Sequence, residues 1–153
     1  MKTLFRMAAL AAAALTAGLA VNQFHPEGID RNMMAALFST DYRWRRITAD
    51  SAHVLFSGKT AVFVDIRSEK EYQTDRIPGA ESQPFYSFFR NFQRFEKTHP
   101  KTRTYVFYCF EPACREGHAM LAWMGRRGYE NAVWMYGGLG QWIHGGYPVE
   151  GGR

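Results

Sequence analysis

Three short apolar runs punctuate the chain, at residues 61–66, 104–108 and 132–136, rich in Val, Phe, Tyr and Trp and bounded by Gly, Pro or charged residues. Runs of that length without polar alternation predict strands covered on both faces. Between them the apolar positions recur at helical spacing. Residues 50–56 place Ala52, Leu55 and Phe56 on one face and end at Ser57-Gly58-Lys59, and residues 68–72 have room for one or two turns. From about Ser87 the side chains of Phe88, Phe89, Phe92 and Phe95 form a stripe that reads as core. A further helix, about 113–127, carries Ala119, Met120, Trp123 and Met124 on one side, Arg126 and Arg127 in its last turn and Gly128 where a C-terminal cap belongs. Ile47-Thr48 reads as a short edge strand and cap, and a short helix with Gln141, Trp142 and Ile143 follows Gly137-Gly138-Leu139-Gly140. Buried strands alternating with helices predict an α/β fold, a central parallel β-sheet flanked by helices on both faces.

The N-terminal pattern is different. Lys2 and Arg6 precede a charge-free, Ala/Leu-rich run over residues 7–20 that ends in Gly18-Leu19-Ala20. A positive start, an apolar middle and small residues at its end are the form of a secretory signal, and the run is short for a membrane span of about 20 apolar residues. Residues 1–20 are therefore read as a signal peptide cleaved after Ala20, 21–46 as an N-terminal arm and 47–153 as the folded domain of a periplasmic or otherwise exported protein. The alternative is an uncleaved membrane anchor. Within the arm, residues 31–38 form a helical candidate that Asp30 caps. In Tyr42-Arg43-Trp44-Arg45-Arg46 the aromatics are expected to pack on the domain and the arginines to stay solvated. The formal net charge is +5, two charges of which belong to Lys2 and Arg6. So mild a balance does not point to nucleic acid.

The two cysteines sit in one window, Cys109-Phe110-Glu111-Pro112-Ala113-Cys114, with Arg115 next. A cross-link across so short a loop constrains the unfolded chain little, so their closeness points to chemistry. Cys109 ends the second apolar run, just ahead of a helix. A helix N-terminus and a nearby cation favour a thiolate and a bound anion. Cys109 is thus the expected nucleophile, and Phe110 to Arg115 the expected binding loop. Cys114 is either a catalytic or redox partner or a small buried residue in the first helical turn. His118 lies four residues beyond Cys114, yet no carboxylate or further Cys stands at ligand spacing, so neither a metal nor a cofactor is expected. Glu111 and Glu116 would repel an anion if they turned inward and are expected to face solvent. Asp65 and Arg67 end the first buried strand, where open α/β sheets place their sites, and are read as a supporting ion pair across the strand-to-helix turn. Gly137 and Gly138 are read as a tight turn close to the loop. His25, His53, His99 and His144 are read as ordinary surface or core residues.

Four stretches in order resemble the rhodanese-like (sulfurtransferase) domain family over roughly residues 47–150. Val64-Asp65-Ile66-Arg67 with Glu71-Tyr72 and Ile77-Pro78-Gly79-Ala80 is similar to its first signature, and Val106-Phe107-Tyr108-Cys109 to the strand entering its active cysteine. Gly128-Tyr129 with Ala132-Val133-Trp134, and Gly137-Gly138 with Trp142 and Gly146-Tyr147-Pro148-Val149, are similar to its C-terminal signature. The resemblance implies a sulfurtransferase in which Cys109 takes the outer sulfur of an anionic donor such as thiosulfate as a persulfide and passes it to a thiol or cyanide. Arg115 and the loop amides would hold the donor.

Two departures stand out. Asp75-Arg76 replaces the family's usual Gly-His and is expected to alter only a surface turn. Five residues separate Cys109 from Arg115, one more than the common sulfurtransferase loop, a spacing similar to the phosphatases and arsenate reductases built on this fold. The alternatives are therefore phosphatase- or arsenate-reductase-type oxyanion chemistry on Cys109 and Arg115, and a non-catalytic redox or sulfur-carrier module using Cys109 and Cys114 that serves an exported protein partner.

Overall fold

A computed structural model describes residues 2–24, 45–110 and 114–151. The helical candidate at 31–38 and the residues Tyr42, Arg43 and Trp44 lie outside the described residues, as do Glu111, Pro112 and Ala113.

In chain order the elements are α1 (Lys2–Phe24), β1 (Arg45–Ile47), α2 (Ala49–Ser57), β2 (Ala61–Asp65), α3 (Glu69–Thr74), β3 (Glu81–Ser82), α4 (Phe85–Thr98), β4 (Thr104–Tyr108), α5 (Arg115–Arg126), β5 (Ala132–Met135) and α6 (Gly138–His144). The sheet order is β1-β5-β4-β2-β3, and every neighbouring pair is parallel. The three apolar runs are its central strands, and Ile47 belongs to an edge strand, as expected. That strand already begins at Arg45, so the sheet reaches back into the segment read as the arm. The other edge, β3, holds only Glu81 and Ser82 and carries no apolar signature.

Alternate residues of each strand feed two cores, because successive side chains on a strand point to opposite faces. Tyr105 and Phe107 of β4, Val64 of β2 and Trp134 of β5 pack with the phenylalanines of α4 and with Met120, Leu121 and Met124 of α5. Val106 and Tyr108, Phe63, and Val133 and Met135 pack with Ala49 and Ala52 of α2 and Leu139 and Trp142 of α6. The sheet is thus covered on both faces, as the unbroken hydrophobicity of its strands requires. Helix α5 lies so close to β5 that a Cβ built on Gly117 would fall 2.3 Å from the Trp134 ring.

Helix α4 begins at Phe85, two residues before Ser87. Its start is set by tertiary pairing: Gln83 N–H donates to Asp65 O at 2.8 Å and Phe85 N–H to Ile66 O at 3.0 Å. Helix α1 is long and apolar enough to cross a membrane by length and composition over Phe5–Asn22, a window with no residue buried in the protein. The helix continues past Ala20 to Phe24, so the expected cleavage point falls within it.

Candidate active site

The chain leaves β2 toward one edge of the sheet and β4 toward the other, so the C-terminal ends of β2 and β4 flank the topological switch point, where parallel α/β sheets open a crevice. A cleft of about 450 Å³ lies there. The turn after β2 contributes Ile66, Arg67 and Ser68 to its wall, and the start of α4 contributes Phe85 and Tyr86. Cys109 and Phe110 come from the end of β4, and Cys114 and Glu116 from the N-terminus of α5.

Cys109 is only 6 % exposed, and what it exposes faces this cleft. Its backbone is held from the opposite side. Leu139 N–H donates to Cys109 O at 2.7 Å and Gly140 N–H to Phe110 O at 3.2 Å. This approach needs Gly138, whose added Cβ would stand 2.2 Å from Cys109 O and 2.8 Å from Phe110 O, and whose φ is +55°. Gly137 and Gly138 therefore form the turn anticipated beside the loop, both at positive φ; a Cβ on Gly138 would meet the cysteine's own carbonyl, and one on Gly137 the Gln141 side chain.

Asp65 and Arg67 form the ion pair anticipated from their position. Arg67 Nη2 lies 2.7 Å from Asp65 Oδ2, with both side chains buried. The Arg67 N–H also donates to Asp65 Oδ1 at 2.9 Å, and Nη1 donates to Asp75 Oδ1 at 2.9 Å. Burial opposes the Arg67 charge, but bonds to Asp65 and then Asp75 outweigh it and raise its pKa above the ordinary value. Asp75, expected to matter only to a surface turn, is instead the second anchor of Arg67, and its neighbour Arg76 pairs with Glu150 at 2.8 Å. Tyr108 closes the network: its hydroxyl accepts from Ile77 N–H at 3.2 Å, and burial first, then the Asp65 charge, push the phenol up. Together these bonds lock the cleft wall formed by Ile66–Ser68.

Neither cysteine is in a disulfide, and the two line the same cleft. Cys114 is the N-cap residue of α5, a position whose side chain ordinarily bonds the amide of the second or third helical residue. Its sulfur makes no such bond of ordinary geometry, although the N–H of Gly117, the third helical residue, comes near enough to favour its thiolate. It donates to Glu116 Oε2 at 3.5 Å, and Cys109 lies on the same cleft wall. The hydrogen bond to Cys109, burial and the charge of Cys109 push the Cys114 thiol far up. Glu116 does not face solvent as expected; it is half-buried on the cleft wall because the first turn of α5 directs it toward Cys114. Arg115 is the first residue of α5, and its side chain lies outside the described residues, as does Glu111.

Sequence reasoning also passed over Ser68 and Glu71, a capping box at the N-terminus of α3 in which each side chain bonds the other's backbone. The spacing Ser68-Glu69-Lys70-Glu71 carries that signal in full. The bond from Ser68 lowers the Glu71 pKa. Asp75, Tyr86 and Glu116 had no comparable signal, because each reaches the site through tertiary structure. Among the described residues no group of three His, Cys, Asp or Glu is arranged to hold a metal.

These features define a class: parallel α/β domains that carry a cysteine at the sheet's switch point, beside a helix N-terminus. The chain belongs to the rhodanese-like domain family, which residues 48–144 match. It is 23 % identical over 104 residues to the thiosulfate sulfurtransferase GlpE of Actinobacillus succinogenes, an alignment covering 68 % of this chain and 88 % of that protein. A crystal structure of a Bacillus halodurans protein superposes with TM-score 0.63 at 22 % identity, covering 71 % of this chain and 77 % of the other. A rhodanese-related protein of Thermoplasma volcanium gives TM-score 0.59 at 23 % identity, covering 70 % of this chain and 98 % of its own.

Proposed function

We propose that this protein is an exported sulfurtransferase in which Cys109 carries sulfane sulfur as a persulfide. The observation that carries the reading is the place of Cys109, at the C-terminal end of β4, facing a cleft beside the N-terminus of α5. Peptide N–H groups at a helix start attract an anion.

Cys109 attacks the outer sulfur of an anionic donor such as thiosulfate. A new S–S bond forms, the donor's own S–S bond breaks and sulfite leaves with the electron pair. Arg115 and the loop amides hold the donor and stabilise that charge. A thiol or cyanide acceptor then takes the outer sulfur and returns Cys109 to the thiolate. Family membership and the likeness to a thiosulfate sulfurtransferase support this chemistry. Residues 1–20 serve as the export signal or, uncleaved, as an anchor, consistent with the apolar N-terminal helix.

Intact-mass measurement before and after thiosulfate tests the assignment. The expected result is a gain of one sulfur atom that Cys109→Ser abolishes; a Cys109→Ser protein that still gains sulfur overturns it. The five-residue spacing between Cys109 and Arg115 favours a second reading, oxyanion chemistry of the phosphatase or arsenate-reductase kind. Aryl phosphate hydrolysis that requires both residues would establish it in place of the first.

A further inference from the structure

Cys114 and Glu116 are not needed to load sulfur onto Cys109, yet both line its cleft. Two geometric facts set Cys114 apart from a residue that merely starts a helix. Its sulfur shares the cleft wall with Cys109, and it donates to the Glu116 carboxylate at 3.5 Å. A thiol, a second cysteine and a proton acceptor therefore line one cleft.

We propose that Cys114 is the resolving thiol of this site: it attacks the sulfur of a persulfidated Cys109, and Glu116 passes the Cys114 proton to the departing sulfide. The step rests on the reading of Cys109 as the persulfide carrier. The atoms and electrons balance without an external oxidant. A Cys114–Cys109 S–S bond forms, the bond from Cys109 to its outer sulfur breaks, and that sulfur leaves with the electron pair. With the proton from Cys114 it departs as hydrosulfide. Two thiol sulfurs are oxidised to a disulfide and one sulfane sulfur is reduced to sulfide. A dithiol reductant then exchanges with the disulfide and restores both cysteines.

The same geometry explains why Cys114 stays silent until sulfur arrives. While Cys109 is unloaded, its sulfur accepts the Cys114 proton and holds that thiol in its unreactive form. Loading converts Cys109 Sγ into a divalent sulfur bonded on both sides, a poorer acceptor. The proton is left to Glu116, and Cys114 becomes a nucleophile next to the atom it attacks. The protein then releases sulfide from thiosulfate when no acceptor is present, and the site is dithiol-dependent over repeated turnovers.

The test loads the full chain with thiosulfate, removes excess donor, omits reductant, and follows intact mass and released sulfide over time. Wild type is expected to release one equivalent of sulfide and to end two hydrogens lighter than its dithiol form, with Cys109 and Cys114 joined in one peptide. Cys114→Ser and Cys114→Ala are expected to keep the added sulfur and release none. Glu116→Gln is expected to give the same products at least about tenfold more slowly near neutral pH, in line with the loss of one acid–base group. Its rate should recover as pH rises and Cys114 ionises unaided, which a merely structural effect would not produce. Loaded wild type that retains its sulfur as long as the Cys114 variants do overturns the proposal and leaves the persulfide reading standing. No added sulfur in any of the proteins, and no sulfide, overturns the reading beneath it and this step together. The wild-type measurement decides the matter even if a variant fails to fold.

Discussion

Replacing Gly138 by alanine should separate the contact that positions Cys109 from the rest of the fold. At φ +55° an L side chain costs about 1–2 kcal/mol relative to glycine. The added Cβ would also stand 2.2 Å from Cys109 O and 2.8 Å from Phe110 O, both backbone atoms that cannot rotate away. The relief open to them is to draw apart, which breaks the 2.7 Å bond from Leu139 N–H to Cys109 O. Losing that bond costs about another 1 kcal/mol, and more if the carbonyl stays buried without a partner. A total near 3 kcal/mol corresponds to a fall in Tm of about 9–13 °C for a domain of this size. The strain falls on the residue proposed as nucleophile, so activity should suffer beyond stability: a misplacement of about 1 Å costs about 100-fold in rate.

Gly146 supplies the control. Its φ is +71°, but nothing lies within 4 Å of an added Cβ, so Gly146→Ala should cost only the conformational part, about 1–2 kcal/mol, and leave sulfur transfer per folded molecule unchanged. Thermal unfolding by circular dichroism and thiosulfate-dependent sulfur loading, run on both variants, make the comparison. If Gly138→Ala melts and loads sulfur like Gly146→Ala, the close approach of α6 to Cys109 is not what holds the site, and the reasoning fails.

Two further outcomes follow from the buried network and from the paired thiols. Arg67→Ala removes the guanidinium from a fully buried Asp65 and should cost about 3–5 kcal/mol in chemical denaturation, as broken buried ion pairs do; a loss under about 1 kcal/mol would show the pair to be dispensable. Cys114 has its pKa raised by Cys109, so it persists as the thiol to higher pH than an ordinary cysteine, and Cys109→Ala should lower that pKa again. Peptide mapping after iodoacetamide at fixed neutral pH should then show Cys114 labelled at least about tenfold faster in Cys109→Ala than in wild type, because the thiolate is the form that reacts and its population grows as the pKa falls. Equal labelling would mean that the two sulfurs do not interact.

Much of the site can be read along the chain because its parts are local to element ends. Cys109 ends an apolar run and Cys114 precedes an amphipathic one, so both fall at the strand-to-helix junction of an α/β sheet whatever the sheet's order. Asp65 and Arg67 are two residues apart on such a junction, and their ion pair follows from that spacing. Asp75 and Glu116 mark where this kind of reading stops. Asp75 meets Arg67 eight residues back because the chain folds over α3, and Glu116 turns inward because the first turn of α5 faces a cleft whose other wall comes from β2 and α4. The expectation that Glu116 would avoid an anion site treated the loop as isolated, whereas in the fold the carboxylate has a thiol to accept from.

Hydrophobic periodicity by itself determined the α/β class, the three covered strands, the phenylalanine face of α4 and the position of the reactive loop, since burying unbroken apolar strands on both faces leaves a helix-flanked parallel sheet as the solution. It could not determine the sheet order, the polar edge strand Glu81–Ser82, or the pinning of Cys109 by the turn before α6, because each depends on backbone pairing between segments far apart in sequence. Side-chain identity says which residues prefer to be buried; only the closed fold decides which carbonyl, thiol and carboxylate they are buried against.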